Sequence, residues 1–84
     1  MRAEDYVHEY HDAHGRRRFV VAEYRDGRYY APQREDVAKL TGAHTIFGPL
    51  GYVLGNAYHY ARRADAVARA GELYNLTPEE ECST

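Results

Sequence analysis

Apolar and polar residues alternate with a period of two through the first third of the chain, which is the signature of half-buried strands. The pattern predicts one strand over residues 5–11, a second over 17–25 and a third over 28–31. Asp26-Gly27 lies between the last two, and this pair favours the positive φ angles of a two-residue type I′ turn. Such a turn sets Arg25 opposite Arg28, Tyr24 opposite Tyr29, Glu23 opposite Tyr30 and Ala22 opposite Ala31. Asp12-Ala13-His14-Gly15 supplies the earlier turn, and a loop of two or four residues there sets Tyr10 opposite Phe19 and His8 opposite Val21. The expected product is a three-stranded antiparallel meander.

That register divides the side chains between two faces. One collects Val7, Glu9, Val20, Ala22, Tyr24, Tyr29 and Ala31; the other collects Tyr6, His8, Tyr10, Arg17, Phe19, Val21, Arg25, Arg28 and Tyr30. A slip of one residue in the first hairpin would move the whole first strand to the opposite faces.

After Pro32 the period lengthens. Val37, Ala38 and Leu40 at helical spacing, with Glu35 and Lys39 as an i, i+4 pair and Gly42 as a stop, predict a short helix over 33–41. Gly48, Pro49, Gly51 and Gly55 break regular helix, so Thr45-Ile46-Phe47 and Tyr52-Val53-Leu54 are expected to form a small hairpin or loop around Gly-Pro-Leu-Gly. From Tyr58 or Ala61 onward, Ala61, Ala64, Val67, Ala68, Gly71 and Tyr74 mark one side of a second helix. Asp65 and Arg69 are placed to pair on its other side, and its small residues suit close packing on the face that holds Val20 and Ala22. The fold class is therefore α+β: a small antiparallel β-meander, a short helix after the third strand, and a C-terminal α-helix packed on the sheet. Residues 1–78 form one domain, and 79–84 a flexible acidic tail.

Composition sharpens this picture. Leu, Ile, Val and Phe fill only fourteen of 84 positions, whereas Ala fills twelve and Tyr nine. So few large aliphatic side chains would suit a disordered chain, but disorder also needs a high net charge, and here it is only −2. The tyrosines must then supply much of the buried area, with each hydroxyl reaching water or a partner. No apolar run approaches the ~18 residues of a membrane span, and the opening Met1-Arg2-Ala3-Glu4-Asp5 leads into no apolar stretch. With Cys82 as the one cysteine, no intrachain disulfide can form, and a cytoplasmic setting is expected.

Candidate chemistry is sparse. His8, His11 and His14 fall at H-x-x-H-x-x-H spacing, but on a strand positions 8 and 11 face opposite sides, so no metal site is expected. Ser83 and Cys82 are the only serine and cysteine, both in the tail, and no glycine-rich phosphate loop occurs. No enzyme activity and no cofactor are expected.

What remains is surface. Tyr6, Tyr10, Arg17, Phe19, Arg25, Arg28 and Tyr30 share a predicted sheet face, and Tyr and Arg are the residue types enriched at binding hot spots. The chain is too short to cover two apolar sheet faces with one long and one short helix, so the surplus calls for a partner or a second copy. The expected function is a small non-enzymatic protein that binds and inhibits a larger protein or ribonucleoprotein complex. Chains of this kind are common among inhibitors carried by phages and mobile elements, of the anti-CRISPR or antitoxin type. The alternative is an RNA- or DNA-binding domain. Arg16, Arg17, Arg18 and Arg34, with Arg25 and Arg28, form a basic stretch broken only by Glu23 and Asp26. Against it stands a pI of about 6.2, where nucleic-acid binders usually exceed ~9.

Overall fold

The long second strand is bent into two, and that bend organises everything else in the computed structural model, which describes residues 2–76. A 3₁₀ turn over Ala3–Tyr6 leads into β1 (Val7–His11) and β2 (Arg17–Val21). After Ala22 the chain continues as β3 (Glu23–Arg25), β4 (Arg28–Pro32), α1 (Glu35–Thr41), β5 (Thr45–Gly48), α2 (Leu50–Val53), β6 (His59–Tyr60) and α3 (Arg63–Leu73). Two antiparallel sheets result, ordered β1-β2-β6 and β3-β4-β5. Ala22 carries the chain from one sheet to the other. Its N–H donates to the Tyr6 carbonyl, Val21 N–H donates to the Tyr58 carbonyl, and both residues are fully buried. The fold is α+β, with the C-terminal helix on a sheet as expected. No helix among the described residues is long and apolar enough to cross a membrane. The acidic tail 79–84, with Cys82 and Ser83, lies outside the described residues.

The second hairpin follows the predicted register: Glu23 faces Tyr30, Tyr24 faces Tyr29 and Arg25 faces Arg28, across a turn in which Asp26 and Gly27 both have positive φ. The first hairpin does not. Tyr10 pairs with Arg18 rather than Phe19, and His8 with Val20 rather than Val21. The cause is an odd loop. Asp12 N–H donates to the Arg16 carbonyl, leaving three residues between them, and Gly15 takes φ 78° while its N–H donates to the Asp12 carbonyl. This is the three-residue hairpin loop closed by a left-handed glycine. Asp12 holds it, since its Oδ1 accepts the N–H of both His14 and Arg16 at 2.9 Å.

With that register Val7 and Glu9 join the face of Phe19 and Val21, while His8 and Tyr10 join the face of Val20. Two cores follow. One gathers Ala3, Phe19, Val21, Ala66 and Ala70; the other gathers Val20, Ala22, Ala31, Val53 and Ala57. The C-terminal helix therefore covers Phe19 and Val21, not the predicted Val20 and Ala22. It also turns a different side inward. Ala66 and Ala70 are buried, with Val67, Leu73 and Tyr74 packed beside them, whereas Ala61, Ala64 and Ala68 are exposed. Asp65 pairs with Arg62 at 3.1 Å and Arg69 with Glu72 at 3.3 Å, in place of the expected Asp65 to Arg69 pair.

α1 starts two residues later than predicted and keeps its Glu35 to Lys39 pair at 3.4 Å. The expected hairpin between 45–47 and 52–54 is absent. Thr45–Gly48 pairs with the otherwise open side of β4 instead, which satisfies backbone groups that a local hairpin would leave unpaired there. Residues 50–53 form the single turn α2, in which the N–H groups of Tyr52 and Val53 donate to the Pro49 carbonyl.

The side of α3 that meets the sheet can be tested by overpacking. Ala70→Leu is expected to destabilise the fold by about 1–3 kcal/mol, while Ala68→Leu changes stability by no more than about 0.5 kcal/mol. Urea unfolding of both variants measures this, and the reverse order would return the helix to the face first read from its sequence.

Candidate interaction surface

Strand alternation in the second sheet places Tyr29, Ala31 and Ile46 toward α2 and the second core, where Tyr29 and Ile46 pack. Arg25, Arg28, Tyr30 and Phe47 point the other way. Three of these align across the three strands. The Arg25 guanidinium carbon sits 4.4 Å from the centre of the Tyr30 ring, and Tyr30 stacks on Phe47 with centroids 5.5 Å apart and planes 18° from parallel. Backbone pairing explains the closeness. Gln33 N–H donates to the His44 carbonyl, so Gln33 and His44 form a hydrogen-bonded pair. By alternation Pro32–Thr45 and Tyr30–Phe47 are non-hydrogen-bonded pairs, in which side chains lie nearer one another. Pro32, which has no N–H, fits such a pair.

This ladder remains open to solvent. Phe47 is 55% exposed and Tyr30 is half-buried. Neither Arg25 nor Arg28 makes an ion pair among the described residues, although Glu23 lies on the same sheet face. An exposed cation over a ring contributes about 0.5–1 kcal/mol, and an aromatic pair about 0.5–1.5 kcal/mol. Those contacts hold the side chains in place without hiding them.

Of the seven residues predicted to form one surface, only Arg25, Arg28 and Tyr30 come together. Phe19 is 5% exposed beneath α3. Tyr6 stacks on Tyr74 at 4.0 Å, and burial, the Glu23 charge and Tyr6 push the Tyr74 hydroxyl up to about 12. Tyr10 packs against the second core. Arg17 is exposed, but it donates to Glu9 from Nε at 3.1 Å and lies over the Phe19 ring at 5.7 Å. Phe47 joins this face from a third strand, opposite Tyr30. Its place in the ladder depends on β5 pairing with β4, a non-local fact. Tyr24 and Tyr52 are also exposed; Tyr24 leans on Tyr29 at 4.9 Å, with the His8 ring edge-on to Tyr29 at 5.3 Å.

The four arginines of the nucleic-acid alternative are scattered and engaged. Arg16 pairs with Asp12 at 3.7 Å, Arg17 with Glu9, and Arg34 with Asp36 at 3.6 Å. Arg18 points to the opposite side from Arg17 and donates to His59 Nδ1 at 3.1 Å. The Arg16 amide, with that of His14 and the charges of Arg16 and Arg18, holds the Asp12 carboxyl below its ordinary range. Among the described residues no three His, Cys, Asp or Glu side chains form a group that could hold a metal ion.

Two histidines are held toward their neutral forms. Burial lowers the pKa of His59, and the charges of Arg18 and Arg34 add to it. Burial also lowers that of His8, opposed by a hydrogen bond to the Ala22 backbone, and His8 Nε2 is buried with no partner. The unfolded chain therefore takes up these protons first, and stability is lost as pH falls below the unfolded value of about 6.5 toward the lower folded values. NMR titration of the folded protein should give both histidines midpoints below about 6.5, and a midpoint at or above that value for either would contradict the packing described.

No protein-family model, curated protein or solved structure matches this chain.

Proposed function

We propose that this chain is a non-enzymatic binding protein that seats the outer face of its second sheet on a larger protein and covers a surface there. The observation that carries this reading is the Arg25, Tyr30 and Phe47 ladder, exposed to solvent with its side chains already resting on one another. An ordered side chain loses less rotamer freedom on binding, so more of its contact energy appears as affinity. Arg28 adds a second cation without a carboxylate partner among the described residues, which suits an acidic patch on the target. Inhibition by occlusion, the mode expected of an anti-CRISPR-like or antitoxin-like protein, needs nothing beyond such a face.

Binding of nucleic acid by the Arg16 to Arg18 block is disfavoured, because those guanidinium groups are engaged within the chain and face different ways. Fluorescence anisotropy with a labelled single-stranded RNA and its DNA counterpart at low salt is expected to show no binding. Tight binding that weakens steeply with salt would move the reading to nucleic acid.

Capture from the native cell, repeated with Arg25→Glu and Tyr30→Ala, tests the face itself. Truncating a hot-spot residue costs about 2 kcal/mol or more, so each variant should lose roughly thirtyfold in affinity for the captured protein. Tyr30→Ala also gives up the contacts to Arg25 and Phe47, about 1–2.5 kcal/mol by the values above, so affinities are compared at a temperature where both variants remain fully folded. Capture at wild-type affinity by both would remove this face from the account.

A further inference from the structure

β5 is the outer strand of its sheet, and Thr45-Ile46-Phe47-Gly48 has none of the devices that protect an open edge. It carries no charge, proline or bulge, whereas β3 is three residues long with two charges and β6 is two residues long. The alternation of hydrogen-bonded and non-hydrogen-bonded pairs between β4 and β5 turns the N–H and C=O of Thr45 and Phe47 away from β4. No turn, loop or cap hydrogen bond among the described residues uses them.

Beside this edge lies a hollow of about 400 Å³, bordered by Thr45, Ile46 and Phe47 along the strand and by Gln33, Tyr52 and Asn56 around it. Gln33 is only 7% exposed. Its Nε2 donates to Thr41 Oγ1 at 3.2 Å and to the Ala43 carbonyl at 2.7 Å, which fixes the amide and leaves Oε1 as a free acceptor. Tyr52 is 62% exposed and its ring lies over Gly48, where a Cβ would stand 3.0 Å from Cδ2. No carboxylate, ammonium, guanidinium or imidazole lines the hollow.

We propose that β5 and this hollow form a groove for an extended segment of a partner protein, which adds to the second sheet as a fourth strand and lays one large uncharged side chain into the hollow. This rests on the protein-binding reading above and specifies the form of the contact. Main-chain hydrogen bonds to the outward groups of Thr45 and Phe47 supply affinity, and the hollow supplies choice. Aromatic and amide side chains suit it, because its walls are rings and alkyl groups and its polar atoms are neutral amides and hydroxyls. A charged side chain would lose hydration there without gaining a counter-ion. A second copy pairing through its own β5 fits less well. The bulky side chains of that strand are already used, Ile46 in the second core and Phe47 in the ladder.

The test titrates peptides acetyl-Thr-Val-X-Val-Thr-amide, with X as Tyr, Gln, Glu or Lys, into the full ¹⁵N-labelled chain. The amides of Thr45 and Phe47 should shift most and exchange more slowly, and Tyr and Gln peptides should bind at least about tenfold more tightly than Glu and Lys peptides. Thr45→Pro removes one outward N–H at a pair that makes no β4–β5 hydrogen bond, so it should abolish the response while the fold stays intact. The wild-type titration decides the matter even if that variant misfolds. No response at β5 to any peptide at millimolar concentration would overturn the proposal, as would equal binding of the charged peptides. A concentration-dependent dimer in sedimentation, with β5 amides protected in the absence of peptide, would overturn it by giving the edge to a second copy. Partner capture that depends on Arg25 and Tyr30 yet survives Thr45→Pro would sink this inference alone and leave the proposed function standing.

Discussion

One stretch of backbone, Phe19 to Ala22, is buried from both sides, and the rest of the molecule is arranged to cover it. Alternation sends Phe19 and Val21 into the core beneath α3, and Val20 and Ala22 into the core closed by α2 and the second sheet. A strand sealed on both faces reads as a continuous apolar run, and Phe19-Val20-Val21-Ala22 is such a run. With only fourteen large aliphatic and phenylalanine side chains in the chain, two thick cores are out of reach. Alanine resolves the shortage. Ala66 and Ala70 let α3 lie close on one side, and Ala22, Ala31 and Ala57 let the sheets and α2 close on the other.

The binding surface is a consequence of that economy. Among the described residues α3 lies on the first sheet and α2 on the inner face of the second. The outer face of β3-β4-β5 is left to its own side chains, which organise laterally instead of inward. Arg25 rests on Tyr30 and Tyr30 on Phe47. The tyrosines thus serve two ends: Tyr6, stacked on Tyr74, replaces missing aliphatic bulk in the first core, while Tyr30 remains available to a partner.

Local signals in the sequence carried well. Asp26-Gly27 specified its turn and the whole register of the second hairpin, and Gly42 with the Glu35 and Lys39 pair marked α1. Three features were illegible for identifiable reasons. An Asp-Ala-His-Gly turn does not announce whether its loop is even or odd, and here the odd loop moved Phe19 away from Tyr10. An alanine-rich helix offers several equivalent small-residue stripes, so the choice of Ala66 and Ala70 over Ala64 and Ala68 is made by the sheet it meets. The pairing of β5 with β4 spans α1, and no short-range pattern encodes it. The candidate surface inherits these gaps. Arg25, Arg28 and Tyr30 were readable because one tight turn places them, whereas Phe47 and the open edge were not.

The register of the first hairpin decides which rings are inside and which are out, and a nuclear Overhauser spectrum of the uniformly labelled protein reads it directly. Contacts are expected from the Phe19 ring to the methyl groups of Ala66 and Ala70, and from the Tyr30 ring to Phe47 and the Arg25 side chain. Contacts from the Phe19 ring to Tyr10, with none to α3, would restore the even loop, return Phe19 to the outer face and contradict the two-core arrangement.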